Sequence, residues 1–249
     1  MAATPQLRVF PSPAELFRGA AEEFSALAAQ AVREHGRFSV ALSGGSTPKG
    51  LYSLLADRFQ DLPWNKIYFF WGDERHVPPE SPESNYRMVR EALLSRVAVP
   101  EDHVFRVRGE ETDADAAARE YERALAGFFG LQPGQFPRFD LILLGLGEDG
   151  HTASLFPGSR GLQEKGRLVI ANWVEKFKDY RISFTYPVLE HAACVMFVVS
   201  GAAKAPILRQ VLEEPLAGLP SQAVQVRQGS LLWFVDAAAA SALQKPNVA

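Results

Sequence analysis

Apolar positions along this chain follow two periods, and the switch between them lays out the fold. Ile67 to Trp71, Leu141 to Leu144, Ala192 to Gly201 and Leu231 to Asp236 are short runs with no charged residue before the closing Asp236. Such runs read as strands buried on both faces, the mark of a parallel sheet covered by helices on each side. A further strand ends at Leu42, and shorter ones are expected at Leu7 to Phe10 and at Phe105 to Val107. Between them the spacing changes to that of a helix: Leu16, Ala20, Phe24, Leu27 and Ala31 share one face, as do Leu51, Leu54 and Leu55, then Tyr86, Met88, Val89 and Leu93. The pattern predicts an α/β fold with a doubly wound, mostly parallel sheet and helices on both faces, in a single domain spanning residues 1–249.

Punctuation residues agree. Ser12, Pro13 and Glu15 form a capping box that opens the first helix, Gly36 stops it, and His35 in its last turn serves as a C-terminal dipole partner. Pro48 opens the second helix, Ser84 caps the third, and Asp113 starts a helix running to about Phe129. The turn-rich stretch GLQPGQFPRFD is a surface loop within the domain, and the alanine-rich residues 237–242 are expected to close the chain as a helix.

Composition narrows the partners more than the fold. A formal net charge of -3 provides no field for nucleic acid or an anionic membrane, so any anion must be met by local positive groups, which favours a small ligand. One cysteine, Cys194, excludes an internal disulfide framework and a multi-cysteine zinc site, and its apolar surroundings make it a core thiol. The start MAATPQLRVF has no signal pattern and no run is long enough to span a bilayer, so a cytoplasmic protein is expected.

Four stretches carry the polar chemistry. In LILLGLGEDGHTASLFPG, Leu141 to Gly158, a buried strand ends in Gly145, Gly147 and Gly150, which carry Glu148, Asp149 and His151 to the rim of the sheet, where ligands of parallel sheets gather. In SGGST, Ser43, Gly44, Gly45, Ser46 and Thr47 join a strand to a helix start. This is either an anion cradle of backbone N–H groups or a tight turn that binds nothing, and it matches no nucleotide loop. Asp73, Glu74, Arg75 and His76 follow a third strand; His76 alone reads as a surface histidine, and no metal-ligand spacing is present. Arg181 begins a segment returning to the rim, and Lys204 lies in a first helical turn, opposing the dipole unless an anion accompanies it.

Taken together, SGGSTPKGLY, WGDERHVPPESPESNYRM, LLGLGEDGHTASLFPG and the span from RISFTYP to VSGAAK resemble, in order and spacing, the 6-phosphogluconolactonases of the pentose phosphate pathway. The resemblance covers about Phe10 to Asp236 and is most specific in GEDGHTASLFPG. It implies a fold related to glucosamine-6-phosphate deaminases and ribose-5-phosphate isomerases, and hydrolysis of 6-phospho-D-glucono-1,5-lactone without cofactor or metal by a monomer. It also implies that His151 is the general base, with the SGGST turn, Arg75, Arg181 and Lys204 in the phosphate and substrate site.

Residue chemistry runs parallel. Lactone hydrolysis needs a base for water, and imidazole, which unperturbed titrates at about pH 6.5, is substantially neutral at cytoplasmic pH. Asp149 could orient the ring; Gly147 and Thr152 are candidate oxyanion or hydroxyl donors, and Asp73 joins the substrate-binding set. Two other activities compete. A glucosamine-6-phosphate deaminase also carries a DGH triplet, but Phe156 stands where that family has a glutamate, and Arg75 where it has an aromatic residue. A non-catalytic sugar-phosphate sensor would need no base. One departure from the lactonase pattern is Glu190, where that family commonly has asparagine, which leaves substrate contacts near that segment open.

Overall fold

The computed structural model describes residues 3–214 and 217–244. In chain order it contains β1 (Gln6–Phe10), α1 (Pro13–His35), β2 (Phe38–Leu42), α2 (Ser46–Arg58), β3 (Ile67–Trp71), β4 (Asp73–Arg75), α3 (Asn85–Ala92), α4 (Ala114–Phe129), β5 (Leu141–Leu144), β6 (Val169–Val174), β7 (Asp179–Phe184), α5 (Tyr186–His191), β8 (Cys194–Val199), α6 (Ala205–Glu213) and β9 (Ser230–Asp236). Six strands form one sheet in the order β1-β9-β8-β5-β2-β3, and every pairing in it is parallel. β2, β5 and β8 are buried along their whole length, as inner strands of a sheet covered on both faces must be, and the one polar residue among them, Ser39, bonds to Asp140. The order reverses within the chain, so the turns after β2, β3, β5 and β8 reach the same carboxyl edge.

Aromatic packing closes the helix faces onto this sheet. Phe70 on β3 stacks on Phe105 at 4.7 Å and meets Phe128 of α4 edge-on at 5.0 Å, while Phe197 and Trp233 stack across β8 and β9 at 3.8 Å. The Cys194 thiol is buried here, and burial pushes its pKa up to about 12, in keeping with a core role.

Several local expectations change. Ser12 accepts the Glu15 N–H, but the Glu15 carboxylate pairs with Arg18, so the cap is one-sided. His35 stands in the last turn of α1 as expected and in addition meets Asp140 at 3.0 Å. α2 begins at Ser46 with Gly45 as its cap, two residues before Pro48, because the positive φ of Gly45 (105°) turns the chain early. Phe105 to Val107 form no strand; a single bridge joins Phe69 to Val104, and the segment is held by stacking of Phe105. Residues 237–242 give only a 3-10 turn, Ala239–Ala242, whose start is tied down when Asp236 accepts the Ala239 N–H at 2.7 Å.

The largest difference is a second sheet. β4, β7 and β6 pair antiparallel in the order β4-β7-β6, separate from the six parallel strands. β7 turns back on β6 through residues 175–178, and β4 continues the chain from β3 after one glycine. Glu74 at its centre is a packing residue: its buried carboxylate accepts the N–H groups of Arg75, Asn85 and Tyr86 and the Ser84 hydroxyl, fixing the start of α3.

Candidate active site

The turn after β5 is built around one imidazole. His151 Nδ1 lies 2.5 Å from Asp149 Oδ1, so the carboxylate accepts a hydrogen bond from Nδ1–H and leaves the lone pair on Nε2. A Cβ on Gly147 would stand 2.0 Å from Nδ1 and 2.8 Å from Asp149 Oδ1, which explains a glycine there: the pair occupies the space. Gly150 adopts φ 79°, closing the turn, while the Gly147 amide donates to the His151 carbonyl at 2.9 Å. Phe156 stacks on the imidazole, the ring centroids 4.0 Å apart. The pair stays partly open, with side-chain exposures of 28% for His151 and 30% for Asp149, so solvent reaches it.

Burial pushes the Asp149 carboxyl upward, but its hydrogen bond to His151, the histidine's charge and Lys176 outweigh that and hold it below the usual carboxylate range. Lys176 Nζ lies 3.7 Å from Asp149 Oδ2. It comes from the β6–β7 turn, whose Phe177 packs edge-on against Phe156 at 5.7 Å.

The small sheet anchors this turn from the other side. Ser154 Oγ donates to Asp73 Oδ2 at 2.6 Å, its N–H donates to Ser183 Oγ, and its carbonyl accepts from Asn172 Nδ2. One residue from each of β4, β7 and β6 thus grips Ser154, three residues beyond His151. Ala153 between them sits at φ 46°, a conformation held by Ser154 and by the bond from Thr152 Oγ1 to the Gly145 carbonyl.

On the neighbouring strand the SGGST turn has the opposite character. No hydrogen bond is made by the Gly44, Gly45, Ser46 or Thr47 amides among the described residues, and no acidic residue occupies the first turn of α2. Those amides lie at and just before the start of a thirteen-residue helix, the arrangement that attracts anions. Ser43 differs from its neighbours: its N–H donates to Tyr52 Oη, and the same hydroxyl donates back to the Ser43 carbonyl. Its own hydroxyl is buried with no partner. Gly44 is required by closeness, since a Cβ would lie 1.8 Å from Asn85 Oδ1, and Asn85 in turn donates to the Asp73 carbonyl.

Arg75 and Arg181 stand directly opposite each other on β4 and β7. Like charges in that position repel unless an anion or carboxylate shares them. Arg181 is buried and balanced by Asp179 at 2.9 Å, its guanidinium over the Phe177 ring. Arg75 donates to the Glu83 carbonyl and has no carboxylate partner among the described residues. Lys204, the residue before α6 at the end of β8, is likewise without one.

The structure therefore joins His151, Asp149 and Gly147 by contact, joins Arg75 to Arg181 by register, and links Gly44 to Asp73 through Asn85. Lys204 shares only the sheet edge with them. Two candidates take other duties: the Thr152 proton is committed to Gly145 and the Gly147 amide to His151, so neither is a ready oxyanion donor. Glu190 pairs with Arg227 at 2.8 Å on α5, which leads into the amino end of β8, the edge opposite the site. The asparagine-to-glutamate departure is thus remote from His151. Sequence reasoning missed Ser154, Asn172 and Lys176; the first two lie among ordinary loop and strand residues, whereas Lys176 belongs to the basic stretch EKFKDYR. Among the described residues no group of three or more His, Cys, Asp or Glu is placed to hold a metal, and no helix is long and apolar enough to cross a membrane.

Comparison with known proteins gives consistent results. A family model described as glucosamine-6-phosphate isomerases/6-phosphogluconolactonase matches residues 11–233. The chain is 47% identical over 215 residues to a 6-phosphogluconolactonase of a Nostoc species, covering 86% of this chain and 88% of that one, and 44% identical over 209 residues to one of a Synechocystis species, covering 83% and 85%. Its fold superimposes on 6-phosphogluconolactonase from Trypanosoma cruzi with a TM-score of 0.87 at 34% identity, over 98% of this chain and 99% of that one. A monomeric glucosamine-6-phosphate deaminase shares the fold with a TM-score of 0.77 at 20% identity, over 95% and 99%.

Proposed function

The chain belongs to the glucosamine-6-phosphate isomerase/6-phosphogluconolactonase family, and as a relative of its lactonases it is a hydrolase; from that premise we propose that it opens 6-phospho-D-glucono-1,5-lactone to 6-phospho-D-gluconate with His151 as general base. The observation that carries this reading is the bond from His151 Nδ1 to Asp149. It selects the tautomer in which Nε2 accepts a proton, and it stabilises the imidazolium that results.

In the proposed reaction Nε2 takes a proton from water as the oxygen adds to the lactone carbonyl. The tetrahedral oxyanion collapses, the bond to the ring oxygen breaks, and the imidazolium returns its proton to that oxygen. The phosphate supplies remote binding energy that fixes the carbonyl near His151. A dianion suits the open amides of Gly44 to Thr47 together with Arg75 and Lys204, which have no carboxylate partner among the described residues, and Arg181 beside Arg75. An anion at this turn would also satisfy the buried Ser43 hydroxyl, a group costly to leave unpaired. The same reading has one cytoplasmic domain acting as a monomer on a small sugar phosphate, without cofactor, metal, nucleic acid or membrane.

Deaminase chemistry is the alternative to exclude. Here an apolar ring, Phe156, lies against the histidine in place of a second carboxylate. A side-by-side assay decides: acid release from freshly made 6-phosphogluconolactone, corrected for spontaneous hydrolysis, against ammonia release from glucosamine 6-phosphate. Acid release alone is expected; ammonia release at a comparable rate, or neither reaction, overturns the proposal.

A further inference from the structure

Asp149, Gly147 and Phe156 lie against the His151 side chain, and they restrain it unequally. Asp149 holds the Nδ1 corner through one hydrogen bond, which still permits the ring to tilt about the Nδ1 to Oδ1 line. The bare face of Gly147 lets the ring approach the turn but exerts no directed force on it. Phe156 covers one face of the imidazole at 4.0 Å with the planes 26° apart, and this contact opposes the remaining tilt.

Phe156 is itself held firmly. It is 7% exposed and lies two residues after Ser154, which the small sheet grips by three hydrogen bonds. Its carbonyl accepts the Ser159 N–H at 3.0 Å, and Ser159 Oγ accepts from Asn172 Nδ2 at 2.9 Å. Behind it stands the Phe177 edge, over whose ring Arg181 rests at 5.0 Å. The small sheet thus reaches the imidazole by two routes, and both converge on Phe156.

We infer that Phe156 is the positioning residue for His151, a flat apolar wall that fixes the direction of Nε2 and closes one face of the ring to water. The inference rests on the reading of His151 as base. An aliphatic side chain would fill the volume without defining a plane; a hydroxylated ring would define it as well as phenylalanine does.

The test compares Phe156→Leu, Phe156→Ala and Phe156→Tyr, with His151→Ala as reference, in steady-state lactone hydrolysis. Leu and Ala should lower kcat about 10- to 30-fold through misdirection of the base, with KM changed less than about twofold because the phosphate contacts remain. Tyr should restore most of kcat. In proton NMR the His151 Cε1–H signal, identified by its loss in His151→Ala, should lie upfield in the unaltered protein and in Phe156→Tyr and return toward the free-imidazole position in Phe156→Leu. Should Phe156→Ala fail to fold, the Leu and Tyr variants decide alone. Unchanged kcat in folded Phe156→Leu, a Tyr variant no better than Leu, or an unmoved signal overturns the positioning role while leaving His151 as base. Full turnover by His151→Ala would instead overturn the proposed function and this inference with it.

Discussion

Two adjacent parallel strands, β2 and β5, both end in glycine turns, yet the turns are opposite in construction. After β2 the chain enters a helix at once, so four successive amides keep their donors open toward the sheet edge. After β5 no α-helix follows before β6; the turn is cross-linked by two of its own amides, Gly147 to His151 and Gly150 to Gly147, and presents a side chain instead. A helix start can hold an anion because its donors are unpaired. A turn braced by its own hydrogen bonds and by the Asp149 carboxylate can aim a base. Under the proposed function this difference is a division of labour: binding at one strand end, chemistry at the next.

Changes in the β5 turn should therefore strike kcat, and changes around the β2 turn should strike KM. Gly147→Ala is expected to be the most damaging of them, since the added methyl displaces both Nδ1 and the Asp149 carboxylate; kcat should drop about 100-fold, the cost of a displacement near 1 Å. A rise in KM alone would mean that the turn binds rather than catalyses.

Asp149→Asn keeps the shape and removes the charge. Loss of an orienting partner should lower kcat roughly 10- to 100-fold with little change in KM. The substitution also has a pH signature. Because the folded-state pKa of Asp149 is depressed, its contribution to stability is present above the ordinary aspartate value and is lost as pH falls through the lower folded value. The unaltered protein should thus out-stabilise Asp149→Asn at neutral pH and lose that advantage in acid, by thermal or urea unfolding. A gap that persisted below the carboxylate range would assign the effect to packing.

Lys204→Ala should have the smallest effect, raising KM about 10-fold through one lost charge-assisted contact, with kcat nearly unchanged. Added salt should narrow the difference between variant and parent, since the residue is partly solvated. A kcat loss at constant KM would bring Lys204 into the reacting centre and blur the division.

How much of this was legible in the sequence follows the same boundary. The parallel strands could be read because inner strands are mostly apolar, and His151 could be read because glycines and a DGH triplet at a strand end have few packing explanations. The antiparallel sheet could not. β4 is three charged residues, and β6 and β7 carry polar and exposed aromatic positions such as Trp173 and Tyr180 that are neither fully buried nor regularly alternating. Glu74 looked like site chemistry because a carboxylate at a strand end usually is solvated or functional; its four donors come from its neighbour Arg75 and from residues ten to twelve positions away, at a helix start that Ser84 announces but whose docking on Glu74 no local pattern shows. Ser154 and Asn172 are silent for the same reason, since their partners lie far along the chain.

The central claim is that His151 does the chemistry while other groups hold the phosphate. The most direct measurement is calorimetric binding of 6-phosphogluconate to His151→Ala beside its rate of lactone hydrolysis. Hydrolysis should fall to near the spontaneous rate while product affinity stays within about threefold of the parent, under 1 kcal/mol. Retained hydrolysis, or loss of product binding in step with activity, would contradict it.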